Sequence, residues 1–162
     1  MARNRVRRPL PDRALNEAVL RLTRMLARRG NGGQKKLDLL EETARALLDL
    51  FQCEAVEIWP GRGPDVLRYA IGRGRPGGYR PLPGESCPLA RLCKGFMGEE
   101  ADPALRPYVE NDSLVLDDPR TDANTASMLE GLDSSWRSIA IMGLGAGQEG
   151  VLILAGPEPA WF

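Results

Sequence analysis

Leu15, Val19, Leu22 and Leu26 recur at spacings of four, three and four between arginine-bearing flanks, which predicts an amphipathic helix over residues 13–29 with a narrow apolar seam. A seam this narrow suits either a partner helix from a second copy or the surface of the chain's own domain. Gly30, Asn31, Gly32 and Gly33 end it. A second helix follows from Gln34 to Gln52, where Leu37, Leu40, Ala44, Leu47, Leu48 and Phe51 make a wider apolar face that needs a sheet or another helix to cover it. From Glu54 the period drops to two. Val56 and Ile58 alternate with Glu57 and Trp59, and after a turn over Pro60–Asp65, Leu67, Tyr69 and Ile71 alternate with Arg68 and Ala70. The link is too short for a parallel crossover, so these are the arms of an antiparallel hairpin.

Residues 72–86 hold five glycines and three prolines and read as a long loop. Beyond it the pattern predicts a short helix from Pro88 to Lys94, a mixed stretch from Asp102 to Glu110 and a strand at Ser113–Leu116. A turn at Asp117-Asp118-Pro119-Arg120 then leads to a helix capped by Asp122 that runs to about Leu132. Trp136–Leu144 and Val151–Ala155 are almost continuously apolar and flank a glycine-rich hairpin turn. Apolar residues at both parities mean that these two strands are covered on both faces and lie inside the sheet.

Composition narrows the chemistry. The 162 residues are 43% hydrophobic and 27% charged, which suits one domain with a real core plus a helical appendage. No apolar run reaches the roughly 20 residues of a membrane span, and the arginine-rich start is no secretory signal. With no histidine, imidazole acid–base catalysis and imidazole metal ligation are excluded. Three cysteines form no disulfide framework, and together with the missing signal they point to a cytoplasmic protein. Eleven of the 22 basic residues but only two of the 22 acidic ones fall in residues 1–36. The basic arm carries no aromatic residues to stack on bases and the remainder is acidic, so nucleic acid is not expected as a direct partner, nor is membrane insertion.

Several motifs lose their chemistry on inspection. Gly72-Arg73-Gly74-Arg75-Pro76-Gly77 fits a dinucleotide glycine pattern, but Pro76, Pro81 and Pro83 prevent a helix from starting where the phosphate would need one. Arg73, Arg75 and Arg80 stay available to touch an anionic ligand. Cys87 and Cys93 lie six residues apart; in a helix that separation is a rise of about 9 Å with the thiols turned away from each other, which forbids a disulfide. Zinc would need four ligands from a chain without histidine, so no metal site is assigned and buried structural thiols are expected. Asp117 and Asp118 read as turn residues rather than a catalytic pair.

Four stretches carry a family resemblance: Leu39–Leu48 as a first core helix, Cys53–Trp59 as a first strand, Ser113–Arg120 as a strand with a "D…DPR" turn, and Trp136–Ile141 with Gly150–Leu154 as a terminal hairpin. In this order they resemble the GAF domain, a small sensory module of signalling proteins, over about residues 35–156. The resemblance implies an α+β fold, GAF/PAS-like, in which a central antiparallel sheet of five or six strands has helices on one face and a loop-covered cavity on the other. It divides the chain into a basic arm and connector helix at 1–33 and a GAF-like domain at 34–162, without the family's usual C-terminal helix. Trp161 and Phe162 would then be exposed, as in a domain fragment.

The expected function is a sensory or regulatory module that binds an unknown small molecule, forms a homodimer partly through the first helix, and controls an output domain outside this chain. No catalytic residue, cofactor or enzymatic activity is assigned. The cavity is expected between the sheet and Tyr79–Tyr108, with Tyr69, Phe96 and Met128 among its walls, Asp117 and Arg120 at its rim, and Arg120 or Ser138 meeting a polar handle. The alternatives are a thiol-dependent enzyme of the free methionine sulfoxide reductase type, whose cysteines are more widely spaced, and a ligand-free interaction module.

Overall fold

A computed structural model describes residues 12–27, 33–60, 67–81, 113–116, 118, 136–144, 150–159 and 161–162. Two helices, α1 (Asp12–Ala27) and α2 (Gly33–Phe51), precede six strands. These are β1 (Ala55–Pro60), β2 (Leu67–Gly72), β3 (Gly78–Pro81), β4 (Ser113–Leu116), β5 (Ser138–Leu144) and β6 (Gly150–Gly156). They form one antiparallel sheet in the order β3-β2-β1-β6-β5-β4, so the two apolar strands β5 and β6 are interior, as their composition requires.

Register assigns the two faces. Val56 lies opposite Ile71 and Leu154, Ile58 opposite Tyr69 and Leu152, and Ala140 opposite Leu154. These residues share one face and pack with Leu40, Ala44, Leu47, Leu48 and Phe51 of α2. Each large aliphatic buried there contributes about 1.5–3 kcal/mol. The second face carries Ala55, Glu57 and Trp59 of β1 beside Ala155, Ile153 and Val151 of β6. No described helix covers this face, yet Trp59, Ile139, Ile141 and Ile153 are buried.

Three expectations change. The apolar seam of α1 is spent partly on the chain's own domain, because Leu22 is fully buried in the core with Ala18 and Val19 packed against it. The stretch read as one long loop contains β3, which pairs with β2 through Arg68–Arg80, Tyr69–Tyr79 and Ala70–Gly78. Glycine and proline conceal such a strand from its composition, but an edge position tolerates both. The Gly72–Arg75 turn joins the two strands, with Arg75 N–H donating to the Gly72 carbonyl at 3.1 Å and Gly74 at φ 70°, a conformation that favours glycine.

The third change is at the C-terminus. Trp161 and Phe162 are half-buried rather than exposed: Trp161 Nε1 donates to the Phe51 carbonyl at 2.9 Å, and Phe162 packs on the core. That bond satisfies one of the carbonyls left open at the end of α2, where Gln52 turns the chain with φ 51°.

Candidate ligand-binding cleft

The alternation of β1 places Glu57 and Trp59 together on the face away from the helices, and β2 adds Arg68 beside them. Trp59 Nε1 donates to Glu57 Oε2 at 2.8 Å. Arg68 Nε stands 3.4 Å from the same oxygen, an ion pair between two side chains that are 15% and 7% exposed. The Arg68 guanidinium also lies 5.7 Å from the centre of the Trp59 ring. Burial pushes the Glu57 carboxyl above the ordinary carboxylate range; Arg68, the Trp59 N–H and Arg80 pull it back without offsetting the loss of water.

Glu57 and Arg68 form one wall of a cleft of about 160 Å³, whereas Trp59 is buried and does not line it. Ala70, the Gly72–Arg75 turn, Arg80 and Trp136 complete the lining with Glu54 and Ala55. Four arginines and two glutamates surround the space, so positive charge is in excess. Arg73 is oriented in part by the Cys53 carbonyl, which accepts from its Nε at 3.5 Å. Among the described residues, no group of three or more carboxylate, thiol or imidazole side chains is placed to hold a metal ion.

The sequence-derived site residues are distributed differently. Tyr69 is buried on the helix-side face, because the alternation groups it with Ile58 rather than Glu57; it meets Tyr79 edge-on with ring centres 5.9 Å apart. Ser138 is buried at the start of β5 beside Gly156 and does not line the cleft. Phe96, Asp117, Arg120 and Met128 lie outside the described residues, as do Cys87 and Cys93. Asp118 is described: its Oδ2 is 3.5 Å from Arg137 Nη2, bracing the exit of β4 against the entry to β5 in keeping with a turn role.

Arg73, Arg75 and Arg80 do line the cleft, whereas sequence reasoning missed Glu57 and Arg68. The available signal was a charged residue on each of two adjacent strands, at positions whose parity puts them on one face. Cys53, at the end of α2, is a core residue. Burial pushes its thiol up to about 12, and the thiol faces the Leu47 and Leu48 carbonyls at 3.9 and 4.0 Å. It is therefore held as a thiol rather than as a reactive thiolate.

Six antiparallel strands with two helices packed on one face and a cleft on the other give the chain a GAF-like α+β fold. Among solved structures it is similar to free methionine-R-sulfoxide reductase from Neisseria meningitidis in complex with its substrate, at 15% identity and TM-score 0.47 over 93% of this chain and 79% of that one. It is also similar to the A. aeolicus NLH2 GAF domain in an inactive state, at 13% identity and TM-score 0.38 over 88% of this chain and 79% of that one. No protein-family model and no curated protein matches the sequence. The expectation of a chain without enzymatic activity is corrected here: one of these two structures is an enzyme with its substrate, so a GAF-like fold gives no ground for excluding catalysis. Among the described residues no helix is long and apolar enough to cross a membrane.

Proposed function

We propose that the chain is a small-molecule-binding regulatory module that takes its ligand in the cleft on the second face of the sheet. The observation that carries this reading is the cleft itself, where Glu57 and Arg68 are held largely out of water against Trp59 on a surface with no described helix over it. Buried charge costs folding energy, and a binding site is where that cost has a use. β1 links the cleft to the helical layer, since Glu57 faces one side of it and Val56 and Ile58 face α2 on the other. Occupancy thus biases the helices, and through them an output carried elsewhere in a cytoplasmic signalling protein. Leu20 and Leu50, exposed on α1 and α2, support a dimer formed through the helical layer.

The test is a thermal-shift screen of the intact chain against neutral, cationic and anionic metabolites, free methionine-R-sulfoxide included, with product analysis for any compound that is consumed. A ligand at a hundred times its Kd adds about 2.7 kcal/mol, or about 5–10 °C in a domain of this size. Ala70→Leu fills the cleft and should abolish the shift. A screen without shifts, or shifts unchanged in Ala70→Leu, counts against the cleft as the ligand site.

A further inference from the structure

Arg68 and Arg80 are direct cross-strand partners in the β2–β3 register, and both line the cleft. Like charges directly opposite each other in a sheet are unfavourable, and a strand pair with no ligand to hold gains nothing from them. Glu57 answers only part of this charge. Its approach to Arg68 Nε at 3.4 Å lacks hydrogen-bond geometry, and among the described residues Arg68 Nε and Nη1 are buried without a hydrogen-bond partner. A buried guanidinium N–H normally finds an acceptor. Arg73 and Arg75 come from the β2–β3 turn to the same space, where Glu54 is the second carboxylate. The Arg68–Arg80 pair, with two Arg68 donors unmet and Glu57 as the carboxylate beside it, leaves room for added negative charge, and the acceptors that fit a planar guanidinium fork are the paired oxygens of an oxyanion.

We infer that the cleft selects small molecules bearing a carboxylate or phosphate group, with Arg68 as the buried donor and Arg80 closing on the oxyanion from the edge strand. This rests on the ligand-binding reading above and adds the class of ligand. Ala70 and Trp136 give the cleft its apolar lining beside these charges, while the charge excess rejects cations.

The test titrates the intact chain with inorganic phosphate, benzoate and the neutral isostere benzamide, at ionic strength matched with sodium chloride, following tryptophan fluorescence and melting temperature. Benzoate or phosphate should bind where benzamide and chloride do not, and the stronger of the two shows which oxyanion the cleft prefers. Arg80→Gln should weaken that binding about tenfold or more, Arg80→Lys should retain part of it, and Arg45→Gln on exposed α2 should leave it unchanged. Without an anion, Arg80→Gln should melt no lower than the parent, because it relieves the like-charged pair. Equal binding of benzamide and benzoate would overturn the inference, as would anion binding indifferent to Arg80→Gln and Arg68→Gln. If neutral metabolites bind and are lost in Ala70→Leu while no anion binds, the oxyanion assignment falls and the small-molecule reading stands; if nothing binds, both fall.

Discussion

Gly156, the last residue of β6, is buried where the chain's end folds back over the sheet. A Cβ added there would lie 2.5 Å from Trp161 Cβ and 2.8 Å from Trp161 Cγ, with Ser138 Oγ nearer still. The tryptophan atoms are close to the backbone, so a rotamer change cannot clear them and the 161–162 segment must lift. Lifting it breaks the bond from Trp161 Nε1 to the Phe51 carbonyl, worth about 1 kcal/mol, and exposes the apolar contacts of Phe162. Overpacking of this kind costs about 1–3 kcal/mol in all. Gly156→Ala should therefore lower the melting temperature by about 2–12 °C in a domain of this size. Urea denaturation followed by circular dichroism would give the free energies for Gly156→Ala, Trp161→Ala and the double variant. Because both changes release the same segment, the double variant should lose about 1–2 kcal/mol less than the sum. Full additivity, or a Gly156→Ala protein as stable as the parent, would refute the reasoning.

Other expectations follow from individual groups. The folded Glu57 carboxyl holds its proton to higher pH than in the unfolded chain, so its contribution to stability is fully present below the ordinary glutamate range of about 4.3 and is lost as pH rises through the raised folded value. The difference in urea stability between parent and Glu57→Gln should fall as pH rises through that window, and a flat difference counts against a raised value. Leu22→Ala should cost about 2–5 kcal/mol at any protein concentration, whereas Leu20→Ala on the same helix should cost little; a concentration-dependent Leu22 effect would instead place that residue between subunits. Cys53 should resist iodoacetamide at pH 8 in the folded chain and react once urea unfolds it, as read by peptide mass mapping; rapid labelling of the native protein would contradict its placement in the core.

The parts of the fold that were legible in the sequence are those where one physical signal dominates. β5 and β6 carry aliphatics at both parities, and only interior strands can bury those on two sides. Helix α2 shows a broad apolar face, and the observed span differs from the predicted one by a single residue at each end. β3 was illegible because an edge strand is specified by its partner more than by its own composition: Tyr79 and Arg80 are exposed, and only their register with Tyr69 and Arg68 makes them a strand. The docking of Trp161 was hidden for a similar reason. Its partner, the Phe51 carbonyl, is a backbone atom 110 residues away, and backbone acceptors leave no mark in a sequence.

The candidate site illustrates the same limit from the side of chemistry. Glu57 and Arg68 read individually as ordinary polar positions in an alternating strand, the pattern of a solvated sheet face. That face is instead buried around them, and burial converts two unremarkable side chains into an ion pair with a raised carboxyl and an unsatisfied guanidinium. The three arginines that the sequence did flag belong to the turn and the edge strand, where their charge is visible without the fold. The two residues at the floor of the cleft acquire their significance from strand pairing, because pairing alone sets which charges share a face and how little water reaches them. The helix-side face shows the converse. There Val56, Ile58, Ile71 and Leu154 repeat an apolar pattern that α2 simply covers, so that side stabilises the sheet while the other carries its charge.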